Sequence, residues 1–141
     1  MLSAYPACFF KEENGYSVIF PDLNYLTTCG DSLDEAISMA VDCLAGYLYW
    51  LSQDNETAPL ASDIHSIDAF LIAKELHFTP QEAFTNIVTV DVSEYAKIHF
   101  EKSVKKTLSI PAWLNKAALE QNINFSQVLQ EALKAKLHIA K

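Results

Sequence analysis

Four aspartates, Asp22, Asp31, Asp34 and Asp42, are the side chains whose type best suits catalysis. Clustered carboxylates that hold two Mg²⁺ ions are what two-metal nuclease chemistry requires. Asp31 and Asp34 read more simply as residues at the start of a helix, where carboxylates offset the helix dipole, so no enzymatic activity is expected. The histidines, His65, His77, His99 and His138, stand far apart with no ligand spacing such as H-x-x-x-H, so neither a metal site nor any other cofactor is expected. Cys8, Cys29 and Cys43 are an odd set without a close pair and read as reduced, mostly buried thiols.

Charge is the more informative chemistry. Residues 1–95 hold two lysines, Lys11 and Lys74, against fifteen Asp and Glu, a net −13. Residues 96–141 hold eight lysines against Glu101, Glu120 and Glu131, a net +5. The acidic part should repel nucleic acid and attract basic proteins, and the basic part should do the reverse. At 141 residues and 50% hydrophobic composition the chain affords a real core, enough for one compact domain with a small module beside it. No apolar run approaches the ~18 residues needed to span a bilayer and no cleavable signal pattern opens the sequence. A cytoplasmic protein with no membrane partner is expected.

The elements that must position these charges follow from patterning. Tyr5 to Phe10 is apolar on both faces and fits a central strand. Asn14-Gly15 is a hairpin signal, after which Tyr16, Val18 and Phe20 alternate until Pro21. A third strand is predicted from Tyr25 to Cys29. Ser32-x-x-Glu35 is a capping box opening a helix whose stripe is Leu33, Ala36, Ile37, Ala40, Val41, Leu44, Leu48 and Leu51. Met39, Cys43, Gly46 and Trp50 form a second stripe, read as core in preference to a partner contact, and Tyr47, Tyr49 and Trp50 read as packing aromatics. From Ala61 to Pro80 the signal is weak, and Phe70-Leu71-Ile72 fits strand or helix equally. Val88, Val90 and Val92 alternate as a fourth strand, followed by a short helix or linker. The order β-β-β-α-β makes an α+β layer, one helix on an antiparallel sheet.

In the basic part, Lys105 to Pro111 is predicted as a strand stopped by proline. Leu108 and Ile110 point one way and Lys105, Thr107 and Ser109 the other. Pro111 suits the first position of a helix running to Gln121, which presents Leu114, Ala117 and Ala118. Asn122 tolerates the left-handed conformation and Asn124 caps a second helix with stripe Phe125, Val128, Leu129, Ala132, Leu133 and Leu137. A strand and two helices of roughly 35 residues cannot bury that much apolar surface alone. A twofold dimer with antiparallel paired strands is the natural solution, with Leu108, Ile110, Trp113, Leu114, Val128, Leu129, Ala132 and Leu133 at its interface.

This segment, Lys105 to Leu137, resembles the ribbon-helix-helix family, whose paired strands enter the DNA major groove. By position, the resemblance implies that Lys105, Thr107 and Ser109 face base edges. It further implies that the second helix start, at Asn124, Phe125 and Ser126, anchors a phosphate. The chain has no arginine, so the bidentate guanine contact most used in specific readout is missing.

The two parts together are similar to HicB-type antitoxins of the subgroup ending in a ribbon-helix-helix. The residues that carry the likeness are Tyr5-Pro6-Ala7, Gly15-Tyr16, Phe20-Pro21-Asp22-Leu23 and Gly30 to Ala36, then Val90 to Tyr95, Lys105 to Pro111 with Trp113, and Asn124 to Gln127. Residues 61–83 lack a match. The resemblance implies an acidic toxin-neutralising domain over 1–95, like a partial ribonuclease-H or double-stranded-RNA-binding fold without its activity. A linker over 96–104 would lead to a dimerisation and DNA-binding module over 105–141. The implied partners are a HicA-like toxin (a small basic ribonuclease that cuts mRNA), operator DNA and a second copy of the chain. The homodimer would repress the shared operon through its DNA-binding end, and a higher hetero-oligomer with the toxin is the further assembly that the resemblance allows. By charge alone, Glu12, Glu13, Asp22, Asp31 and Asp34 are the candidates for toxin contact. The alternative is a stand-alone ribbon-helix-helix repressor whose first domain senses a small ligand.

Overall fold

The computed structural model describes residues 1–101 and 103–139 and divides the chain into two units, Met1–Lys102 and Ser103–Lys141. The first unit is built on a hairpin of β1 (Ser3–Glu12) and β2 (Gly15–Phe20). Gly15 makes the turn at φ +112, and a Cβ there would stand 2.3 Å from the Gly30 carbonyl oxygen, so both conformation and space demand glycine. After a 3₁₀ turn at Pro21–Leu23 the chain forms β3 (Leu26–Gly30) and then α1 (Leu33–Gln53). Gly30 lets strand and helix approach, since a Cβ on it would meet the Ala36 amide at 2.4 Å. The Ser32 hydroxyl accepts from the Glu35 amide at 3.2 Å, and the Glu35 carboxylate accepts from the Asp31 amide at 2.9 Å. The start of α1 is thereby capped from both sides.

Two elements follow that the sequence left undecided. A 3₁₀ turn at Ile64–Ser66 leads to α2 (Ala69–Glu75), with Asp68 as its cap. Then β4 (Glu82–Val90) and α3 (Val92–His99) complete the unit. The sheet order is β3-β2-β1-β4, with every pair antiparallel. Tyr5, Ala7, Phe9, Val18, Phe20, Val88 and Val90 pack against Ala36, Ala40, Leu44 and Leu48 of α1. On the opposite face Cys8, Phe10 and Ile19 pack against Ala69, Ile72 and Ala73 of α2. This is why β1 is apolar on both sides: it is covered on both. The expected layer of one helix on a sheet thus gains a second covering helix, and α3 packs against α1. Residues 96–99, assigned from sequence to a linker, finish α3. Ala96 is 1% exposed, and Phe100 packs on the core, because the apolar side of a short helix finds cover on its own unit.

The second unit has a different character. Its helices are α4 (Ala112–Glu120) and α5 (Phe125–Lys136). Asn122 adopts φ +54 between them, and the Asn124 side chain accepts from the Gln127 amide at 3.1 Å. Pro111 caps α4 and does not occupy its first turn. The strand expected over Lys105–Pro111 is not formed within the chain: residues 103–111 carry no regular secondary structure. A strand exists only against a hydrogen-bonding neighbour, and a single copy of this segment has none. Among the described residues of this unit none is buried, and only Ala118 and Leu129 are half-buried.

Candidate functional site

In the second unit α4, α5 and the preceding segment enclose an open apolar groove of about 650 Å³. Leu108, Ile110, Leu114, Val128, Leu129 and Ala132 line it, six of the eight residues expected at a dimer interface. Trp113, 71% exposed, and Leu133 lie outside the lining. Ala118, of the apolar face expected on α4, lines it too, and Ile123 contributes without having been expected to, since it sits in the loop, outside any helical stripe. Phe125 also lines the groove, so its side chain is apolar lining while its amide belongs to the start of α5. At that start the Phe125 and Ser126 amides have no intrahelical partner.

Lys106 lines the groove with Leu108 and Ile110, whereas Lys105, Thr107 and Ser109 do not line it and are exposed. The α5 carboxy-terminal turn carries Lys134 and Lys136, where positive charge favours the helix dipole. Lysines thus border a greasy groove, and Trp113, Leu119, Leu133 and Leu137 add exposed apolar side chains outside its lining.

In the first unit the antiparallel register settles where the acidic candidates stand. Glu12 pairs with Gly15, and Tyr16 with Gly30. The hairpin tip with Glu12 and Glu13 therefore lies at the same end of the sheet as Asp31 and Asp34 of the α1 start. Asp22 follows Phe20 at the opposite end. Its carboxylate accepts from the Ser62 amide at 2.8 Å and the Ser62 hydroxyl at 2.5 Å. With the Tyr5 hydroxyl donating to the Pro59 carbonyl, it pins the segment that carries the chain from α1 to α2. Burial, with the Asp22 and Tyr47 charges behind it, raises the Tyr5 pKa and keeps that donor protonated.

Several of the remaining reactive groups are occupied structurally. The Tyr95 hydroxyl donates to Asp42 at 2.8 Å, and burial together with that bond pushes its pKa up to about 12. Burial, then the Asp68 charge, pushes the Cys8 thiol up to about 11, and burial also raises Cys43. Cys29 is exposed on β3, against the expectation of mostly buried thiols. An edge strand has only one covered side chain in two. The His99 ring stacks on Tyr95 at 4.1 Å. Among the described residues no group of three or more His, Cys, Asp or Glu is placed to hold a metal ion, and no helix is long and apolar enough to cross a membrane. Of the second α1 stripe, Gly46 faces the Phe100 ring, which a Cβ at that position would meet at 3.8 Å, and Cys43 is half-buried. Met39 and Trp50, by contrast, are exposed. The stripe is core in its middle and open at both ends.

Comparison with known proteins gives consistent likenesses. A family model described as HicB_like antitoxin of bacterial toxin-antitoxin system matches residues 5–131. Antitoxin HicB 1 of Photorhabdus laumondii is 42% identical over 53 residues, 38% of this chain and 34% of that protein. The match thus spans about a third of that relative's length. Among solved structures, a toxin-antitoxin complex from Streptococcus pneumoniae contains a chain 34% identical at a TM-score of 0.63, covering 96% of this chain and 99% of that one. The Burkholderia pseudomallei antitoxin HicB has the same fold at 21% identity and a TM-score of 0.52, over 93% of this chain and 96% of that one.

Proposed function

The chain belongs to the HicB-like antitoxin family of bacterial toxin-antitoxin systems, and from that premise we propose a division of labour between its two units. The acidic first unit binds a small basic HicA-like ribonuclease toxin and occludes it from mRNA. The basic second unit pairs with a second copy as a ribbon-helix-helix, binds operator DNA and represses the chain's own operon. The observation that carries this reading is the contrast in burial and charge. A −13 region with its own core precedes a +5 region in which no described residue from 103 onward is buried.

The dimer follows from the groove. Leu108, Leu114, Phe125 and Val128 are 62%, 42%, 42% and 51% exposed in the single chain. Covering such area is favourable by roughly 25 cal/mol per Å², which is the drive for a twin copy to interlock. Pairing of two 105–110 segments would supply the missing strand partner. It would turn Lys105, Thr107 and Ser109 together into the major groove, with the α5 amino terminus on a flanking phosphate. Without arginine, affinity would rest on lysine–phosphate attraction and would fall steeply with salt.

The test is direct. A purified HicA-type toxin mixed with the full chain should give a stable complex in which RNA cleavage stops, and a duplex from the chain's own promoter should shift in a gel. A chain that binds no such toxin at low salt refutes the antitoxin half. One that ignores its promoter refutes the repressor half.

A further inference from the structure

The α1-facing side of β4 is covered unevenly. Val88 and Val90 are each 6% exposed, but Phe84, on the same side of the strand, is 40% exposed. The Phe84 ring nevertheless has a fixed seat, stacked on Phe9 with centroids 4.9 Å apart and 4° between planes. Register sets Lys11 opposite Glu82 in the neighbouring row, at the hairpin end of the sheet.

The course of α1 explains the opening. Ala36, Ala40, Leu44 and Leu48 face the sheet, while Asp42 and Tyr49 meet Tyr95 and Phe100 at the α3 region that follows β4. At 100° per residue, Ile37 falls between these two faces, on the side toward β4, one turn after Leu33. Both are open, Leu33 at 36% and Ile37 at 44%. Covered over Val88 and Val90, the sheet is left bare over Phe84.

Resting on the antitoxin reading above, we propose that this apolar patch, Phe84 with Ile37 and Leu33, is the seat of the toxin. Its occupant is a basic protein surface that sets an apolar side chain on the patch and lysine or arginine against the carboxylates around it. Those carboxylates are Glu82, two residues before Phe84 on the same side of β4, Asp34 between Leu33 and Ile37, and Glu13 and Asp31 at the same end of the sheet. Glu12, on the α2-facing side of β1 with Cys8 and Phe10, is not among them. Charge selects this occupant over two others. A nucleic acid would bring phosphate against that ring of carboxylates, and a second copy would bring another −13 region to it. A packed apolar centre inside a charged rim is also the anatomy of binding hot spots. Glu13, Asp31 and Asp34 then act as rim, and Asp22, at the other end and bonded to Ser62, takes no part.

The experiment measures affinity of the full chain for a purified, catalytically inactivated HicA-type toxin. Ile37→Lys sits at an exposed position that the fold tolerates, and near-UV circular dichroism verifies its packing. Phe84→Ala removes the seat itself. Each should weaken the complex on the order of 100-fold, as loss of a hot spot does. Phe70→Lys, 57% exposed on α2 across the sheet, should leave affinity unchanged. If the wild type binds and folded Ile37→Lys binds equally well, the patch is not the seat. The patch is equally ruled out if Ile37→Lys breaks the chain's own oligomer while toxin binding persists. A wild type that binds no toxin removes the antitoxin reading first, and this inference with it.

Discussion

The two units solve the burial problem in opposite ways. The first threads one strand, β1, between two helices, so Phe9 and Phe10, adjacent in sequence, are 2% and 0% exposed on opposite faces of one sheet. The second has two helices with apolar stripes, α5 capped by the Asn124 side chain, yet Leu129, near the middle of the longer stripe, reaches only half-burial. Good local structure is therefore not a core. A capped helix is stabilised by about 1 kcal/mol from its cap, whereas the sheet-and-helix sandwich removes whole aromatic side chains from water, each favourable by roughly 1.5–3 kcal/mol. The first unit is expected to be stable as a single copy and the second to depend on another.

The largest expected effect strikes at that difference. Leu129→Glu puts a charge on the groove wall, where pairing would bury it, and should abolish both the dimer and promoter binding while leaving toxin affinity intact. Light scattering and fluorescence anisotropy read the two losses, and a monomeric variant with normal promoter affinity would contradict the comparison. The complementary change in the first unit is Leu44→Ala. Leu44 is fully buried between α1 and the sheet, and its truncation should cost about 2–5 kcal/mol. Thermal unfolding followed at several protein concentrations separates the cases: the midpoint lowered by Leu44→Ala should not move with concentration, whereas the transition of the second unit should.

A smaller effect sharpens the DNA side. Lys105→Ala combined with Thr107→Ala should weaken promoter binding by about 1–3 kcal/mol, roughly 10- to 100-fold, with unchanged dimerisation and toxin neutralisation. Equal loss of both activities would mean the units do not act separately. The smallest concerns Asp22→Ala. Losing two hydrogen bonds to Ser62 at an exposed site should destabilise the first unit by about 1 kcal/mol and leave toxin affinity where it was. A marked fall in toxin affinity would return Asp22 to the contact surface.

Much of the architecture is legible in the residues. Asn14-Gly15, Ser32 with Glu35, Asn122 and Asn124 each act within three or four positions of themselves, and each does in the structure what its type suggests. The long stripe of α1 is readable because 21 residues repeat the period many times. By contrast α2 has seven residues, under two full turns. Phe70-Leu71-Ile72 therefore looks the same as helix or strand until the Phe10 face of the sheet is there to receive Ile72.

The acidic candidates illustrate the same limit. By type and charge Asp22 and Asp31 are equivalent, yet one is bonded to Ser62, forty positions away, and the other stands exposed at the hairpin end. Likewise Leu33 and Ile37 sit in the same sequence stripe as Leu44, but the diagonal passage of α1 leaves them half open.

What the amino-acid sequence determined by itself is the local and the global: turns and caps, because they are short-range hydrogen bonds, and the charge division, because it is a sum. Between those scales lies what only the tertiary structure decided. That is which carboxylate is already bonded, which face of a strand is covered and where an apolar stripe runs out of sheet. The reason is physical: burial and hydrogen-bond satisfaction belong to pairs of residues brought together across long stretches of chain, and no single stretch carries both partners.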